Sequence, residues 1–438
     1  MIALILCGSV LFFGMMLCWK YRDKLFRDKG NIKLWVILAA ALVLRLALAA
    51  SVRGYSVDVG CFTAWGDMAF SQGIPHMYAY AAQNDIFLDY PPGYMYILYL
   101  IGMLRQLFSL SADSGVFLML LKLPATLFDL GTAYLIWRIA CKKEKQTAGL
   151  ALAAVYAFHP AFITTASLWG QVDGVFVFFL LLAFYWLREN RRIASTIAYA
   201  VALLVKPQAL VFFPIYLWYI IDLFVKKEKG AWLTTVKCVG VGILVFAVGV
   251  LPFSWGGQEW NWVFKLYTGT LSSYNYATLN TFNLYAVFGG NFVAIEDTML
   301  GIPYQVWGVV LMAAVVLASA YVYFKRGVLT AAAFLNIGLC LLGTKMHERY
   351  ILPSLTLLLV AYLLENKAAL RHFFGLFSFT AFLNIGYVLF LSLQAQPVYH
   401  IPAHDVFMIA ISILNLAAFI PLAYYCFGGK RFETAIKK

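Results

Sequence analysis

The chain reads as a succession of apolar stretches separated by short polar ones. Long apolar runs fall at about 1–19, 34–52, 117–139, 148–167, 172–187, 193–205, 209–225, 232–252, 304–324, 328–343, 350–364, 373–393 and 405–426. Each run is continuous rather than alternating. A continuous apolar run of roughly 20 residues predicts a membrane-spanning helix. The thirteen runs predict an all-α polytopic membrane protein, a bundle of about 13 transmembrane helices. A transmembrane β-barrel is excluded, because its strands alternate apolar and polar positions. A fourteenth stretch, 93–108, is weaker, and two long connections at about 53–116 and 253–303 interrupt the series.

Composition supports this reading. Of 438 residues, 63% are hydrophobic and 12% charged, and the mean hydropathy is +0.81. A soluble domain carries about twice that share of charge, and a disordered chain is far more polar. The net charge of +13 would suggest a nucleic-acid partner in a soluble protein. Here 25 of the 33 Lys and Arg residues fall between alternate runs, at 20–33, 138–145, 188–192, 226–237, 325–326, 365–371 and 430–438. The positive-inside rule places those segments in the cytoplasm. The alternation holds only if 93–108 lies on the outer face as an interfacial or re-entrant helix. The N-terminus is then outside and the C-terminus cytoplasmic in a multi-pass cell-membrane protein. The charge reports orientation, the lipid bilayer is the partner it implies, and no nucleic acid is required.

Trp19-Lys20-Tyr21-Arg22 reads as a membrane anchor, and no small-residue cleavage site of a signal peptide follows the first run. The seven cysteines lie mostly within runs and lack metal-type spacing. No internal repeat is visible, which weighs against many secondary transporters. Four parts result: an extra N-terminal span with its basic loop (1–33), a transmembrane module that includes the first outer loop (34–252), a second outer loop (253–303) and a C-terminal module (304–438).

Ionisable residues at membrane depth are functional candidates. Eight basic residues stand outside the clusters: Arg45, Arg53, Arg105, Lys122, Lys206, Lys265, Lys345 and Arg349. Several polar motifs gather at the expected outer face. Asp58 opens the first outer loop, with Phe62 and Trp65 at amphipathic spacing after it, and either caps that helix or lines a site. Asp67 reads as a surface residue. Asp89-Tyr90-Pro91-Pro92 leads stiffly into 93–108, and Asp89 again either caps or binds. In Trp169-Gly170-Gln171-Val172-Asp173, Gln171 and Asp173 suit a hydroxyl-rich ligand or a helix–helix hydrogen bond. Lys206-Pro207-Gln208 breaks a helix, and Lys206 needs an anion, either a ligand or an acid such as Asp173. Lys345-Met346-His347-Glu348-Arg349-Tyr350 puts four ionisable residues in five positions, costly to desolvate unless they bind something. An exposed loop is the other reading. Lys206, Lys345, His347 and Arg349 together suit a phosphate headgroup facing the Asp58 carboxylate.

In this order the motifs resemble the GT-C glycosyltransferases over about residues 50–365. They look most like bacterial relatives of the second GPI mannosyltransferase. They are more distantly similar to the glucosyltransferases that use dolichyl-phosphate-glucose. The resemblance implies interfacial helices in the first outer loop and an inverting, mannosyltransferase-like enzyme. Asp58 would be the general base for an acceptor hydroxyl on a glycan, glycolipid or polymer. A polyprenyl-phosphate-linked sugar would be the donor, its phosphate held by Lys206, Lys345, His347 and Arg349. Asp89, Tyr90, Gln171, Asp173, Gln208, Glu348 and Asn280 would hold sugar or acceptor. No metal or cofactor is implied, since the departing phosphate already has cationic partners, with a metal held by Asp58 and Asp67 as the other reading. The lack of an Asp-x-Asp pair and of a Gly-rich phosphate loop disfavours a nucleotide-sugar donor. The extra span 1–19 departs from the simplest GT-C plan.

A transporter or flippase of a lipid-linked sugar would use the same polar cavity, but the motifs gather at one face. A scaffold that binds lipid without reaction is disfavoured by the number of such motifs. The second outer loop is rich in Trp and Tyr (Trp255, Trp260, Trp262, Tyr267, Tyr274, Tyr276, Tyr285), which suits sugar stacking or the headgroup level. Its Thr278–Asn283 segment offers amide groups, Asn280 among them.

Overall fold

In the computed structural model, the structure describes residues 2–26, 31–394 and 399–428. Arg27, Lys29 and the basic tail 430–438 lie outside the described residues. The chain is a helical membrane protein, and every one of the thirteen apolar runs is helical. Among the described residues, seven helices are long and apolar enough to cross a membrane, or eight if one bent pair counts as a span. The other runs form shorter helices. The helices Val328–Leu342 and Leu352–Glu365 are mostly apolar and almost wholly buried, and Asn336 of the first donates to Ser354 of the second at 2.7 Å. Such helices belong inside a bundle. The helix Ala231–Val250 instead turns exposed Trp232, Ile243 and Leu244 outward, as a lipid-facing helix does.

The first long loop is itself helical: Ser56–Gln72, Met77–Gln83 and Pro92–Leu107. Pro92 starts the last of these, where its missing N–H costs nothing. This helix crosses Ser56–Gln72 at Gly66 and Gly102, where a Cβ on Gly102 would sit 2.0 Å from the Gly66 carbonyl. Arg105 pairs with Asp67 along the same crossing. Stretch 93–108 is therefore packed onto its own loop.

The basic segments converge at one end of the bundle. Lys145 Nζ donates to Leu363 O at 2.9 Å, Arg192 pairs with Glu228 at 2.5 Å and Lys143 lies 4.0 Å from Glu189. The other end gathers both long loops and segment 343–350. Gln258 Nε2 donates to Pro75 O at 2.8 Å, and His347 forms a backbone bridge with Asn280.

Two lone cations serve helix interruptions. Gln146–Ala157 and Pro160–Trp169 meet at a 40° bend, because Pro160 cannot continue the hydrogen-bond ladder. Arg45, fully buried, donates to the freed Ala157 carbonyl at 3.1 and 3.2 Å and pairs with Asp129 at 2.7 Å. Lys122 Nζ donates to Val52 O at 2.6 Å, next to the C-terminal end of Asn31–Ser51.

Candidate functional site

Three interruptions and one helix start bring polar side chains together at the loop end. The bent span closes in a π turn, Thr164–Trp169, followed by Gly170 at φ +95. A π turn rotates the following side chains out of α register. The next helix then starts at Asp173. Helix Arg192–Val205 stops at Lys206, extended at φ −152 and ψ 129, because Pro207 follows. Residues 343–351 link two buried helices without being helical. Finally Gly54, at φ +96, lets the start of Ser56–Gln72 lie against the bent span, since a Cβ there would sit 2.2 Å from Trp169 O. Tyr55 N donates to that carbonyl at 3.0 Å, and its ring stacks on Trp169 at 5.0 Å.

Arg349 is the centre of the resulting cluster. Its NH1 donates to Glu348 Oε1 at 2.6 Å, its Nε lies 3.7 Å from Asp173 Oδ2, and its NH2 lies 4.0 Å from Asp58 Oδ2. The guanidinium sits over the Trp169 ring, 5.4 Å from its centroid. Trp169 Nε1 donates to Asp58 Oδ2 at 2.6 Å, and Lys206 Nζ donates to Asp173 Oδ1 at 2.9 Å. Nearby, Tyr90 OH donates to Gln171 Oε1 at 3.1 Å, and Gln208 Nε2 donates to Tyr350 O at 3.3 Å. Three carboxylates (Asp58, Asp173, Glu348) thus face two cations (Lys206, Arg349), a formal charge of one net negative. Asp173 Oδ2, Arg349 Nε and Gln208 Oε1 are buried without a hydrogen-bond partner. Asp58 is one-fifth exposed where Asp173 and Glu348 are closed off, so it is the cluster's outlet.

Asp89 sits at the rim and accepts from Tyr274 OH at 3.2 Å. Burial pushes its carboxyl up to about 6, and the nearby Asp58 charge adds to the rise. Neither Asp58 nor Asp89 caps a helix: the caps are Tyr55 and Pro91, and neither helix start has a side-chain cap bond. Lys206 pairs with Asp173, the protein acid weighed for it from sequence.

The structure does not gather the four expected phosphate partners as one set. Lys345 takes a left-handed turn at φ +62, and its Nζ donates to Asn275 Oδ1 at 2.7 Å in the second loop. His347 lies between Tyr274 and Tyr350, with ring centroids at 5.0 and 5.1 Å. Burial, with Arg349 and Lys206 adding to it, holds its imidazole well below the usual range, so it is neutral. Asn280 is largely occupied by the protein itself. Its Nδ2 donates to Tyr399 O at 2.9 Å, and its Oδ1 accepts from Asn291 and from Ile401 N at 3.0 Å each. Among the described residues, no three His, Cys, Asp or Glu side chains are grouped to hold a metal ion.

Sequence reasoning named Trp169 within its motif and Tyr274 among the loop aromatics, but not as the donors to Asp58 and Asp89. Trp169 carried one signal, an indole N–H immediately before a glycine that re-aims the chain. Asp129, inside an apolar run, was the hidden partner of Arg45.

The family model of the GPI transamidase subunit PIG-U matches residues 90–279, less than half of the chain. The stretch includes Tyr90, Gln171, Asp173, Lys206 and Gln208. No curated protein matches the chain. The match corrects the GT-C resemblance. The mannosyltransferase-like enzyme with Asp58 as general base, the flippase, the polyprenyl-phosphate sugar donor and the sugar acceptor are all overturned, because the similarity is to a subunit of a transamidase. The physical reason for the misreading is plain. Polar residues at helix breaks mark a place where a polar headgroup can be held, and holding requires the same residue types as reacting.

Proposed function

We propose that this chain is a non-catalytic subunit of a membrane complex, similar in role to the PIG-U subunit of GPI transamidase, and that its buried cluster holds the headgroup of a GPI-type lipid for a partner's chemistry. The observation that carries this reading is the set of orphaned polar atoms around Arg349. Asp173 Oδ2 and Arg349 Nε face each other at 3.7 Å, too far for a hydrogen bond, and Gln208 Oε1 is buried without one. An unmade bond of this kind costs about 1–3 kcal/mol, which a ligand hydroxyl or ammonium recovers. One net negative charge favours a headgroup with hydroxyls and an amine over a bare phosphate. Asp58, Asp89, Tyr90, Gln171, Asp173, Lys206, Gln208, Glu348 and Arg349 would be the contacts.

The site lies at the end opposite the basic segments. By the positive-inside rule we assign it to the extracytoplasmic face and the C-terminus to the cytoplasm.

The test is purification of the full chain in mild detergent from its own membranes, followed by native mass spectrometry for bound lipid and protein. The expected result is a retained glycolipid and stoichiometric protein partners, with Arg349→Gln lowering glycolipid retention at least tenfold while the partners stay. Isolation of the chain alone, without glycolipid above the level of bulk lipid, would refute the proposal.

A further inference from the structure

A second site lies at the opposite, basic end. A groove lies between the N-terminal helix Ile2–Lys20 and the bundle. Its volume is about 600 Å³. Phe12, Phe13 and Met16 form one wall, and Val155, Leu359 and Phe374 the other. Each wall residue is apolar, so in a bilayer the groove is a slot for hydrocarbon.

The mouth of the groove is different. Lys20, Arg22 and Arg371 line it. Ring contacts hold this end together: Trp19 meets Tyr362 edge-on at 5.3 Å, Arg22 lies 4.4 Å over Trp19, and Arg371 lies 5.9 Å over Tyr362. Each ring of the aromatic pair therefore carries one arginine. Arg22 also pairs with the largely exposed Asp23 at 3.5 Å. His372, also at the mouth, has Nδ1 2.7 Å from Ala368 O. An aromatic pair at headgroup level, cations around it and an apolar slot behind it is the arrangement that a lipid phosphate and its acyl chain complement.

We infer that this groove binds one anionic glycerophospholipid, with its phosphate at Lys20, Arg22 and Arg371 and an acyl chain along Phe12, Phe13 and Met16. The lipid fastens the N-terminal helix to the rest of the bundle. This site is independent of the Arg349 cluster and of the function proposed for it.

The experiment uses the full chain in detergent, exposed to equal amounts of phosphatidylglycerol and phosphatidylcholine and read by native mass spectrometry. Phosphatidylglycerol adducts are expected to predominate at least tenfold. Arg22→Gln and Arg371→Gln each weaken retention about fivefold, and the pair about twenty-five-fold. The pair Arg22→Lys with Arg371→Lys retains the lipid, which separates lost charge from lost fold. Equal adducts of the two lipids, or unchanged phosphatidylglycerol retention in the double Gln variant, would overturn the inference.

Discussion

Two buried polar regions lie near each other at the loop end, and they are finished to different degrees. Around Asn280 nearly everything is paired. Asn291 Nδ2 donates to Ile401 O at 2.7 Å, and its Oδ1 accepts from Asn280 N at 2.7 Å. Asn384 accepts from Phe282 N at 3.0 Å and donates to Asn280 O at 2.7 Å. Around Arg349, by contrast, charges face one another at 3.7 and 4.0 Å, and three buried polar atoms are left unbonded. A saturated network rigidifies a fold. An unsaturated one has capacity left for something else. The asparagines tie segment 280–282 to the helix Ala368–Ser392 and to Tyr399 and Ile401.

The largest effect should come from breaking the saturated side. Asn280→Leu leaves Ile401 N and Tyr399 O without partners and should cost about 3–5 kcal/mol. The check is the thermal midpoint in detergent or loss of membrane accumulation. On the unsaturated side, Asp58→Asn keeps an oxygen for Trp169 and balances the cluster at two acids and two cations. It should lower glycolipid retention at least tenfold while stability changes by under about 1 kcal/mol. If Asp58→Asn destabilises the chain as much as Asn280→Leu, the two regions do not differ in kind and the contrast fails.

Trp169→Phe keeps the ring and removes the indole donor. It should cost about 1 kcal/mol in stability and weaken retention severalfold, measured by the same two assays. The smallest effect is that of pH. The Asp89 carboxyl stands at about 6 in the folded chain, above its ordinary 3.8. The fold therefore favours the neutral form. That contribution is full below 3.8 and is lost as pH rises through 6. The thermal midpoint should be slightly higher at pH 5 than at pH 7, and Asp89→Asn should flatten the difference.

The helical plan was legible because an apolar run of spanning length has few other uses. The convergence of Asp58, Asp173, Lys206 and Arg349 was legible because charge is conspicuous in so apolar a chain. The pairing was not. Lys345 and Arg349 look equivalent in sequence, yet a left-handed turn at Lys345 sends one toward Asn275 while the other meets three carboxylates. Asn280 reads as an amide open to a ligand, yet chain segments more than 100 residues away consume it. Function was least legible, because holding a polar group and reacting with it draw on the same side chains.

The wide spacing of the cluster along the chain has a consequence for biosynthesis. Asp58 and Asp173 are made early, Lys206 follows, and the guanidinium that faces both acids arrives only with Arg349. Until then the nascent protein carries acidic groups whose final counter-charge does not yet exist. Completion of the cluster is therefore expected to stabilise the growing chain. A chain ending before residue 349 is expected to be degraded faster than one ending just beyond the helix Leu352–Glu365, and equal half-lives in a pulse-chase would remove that role.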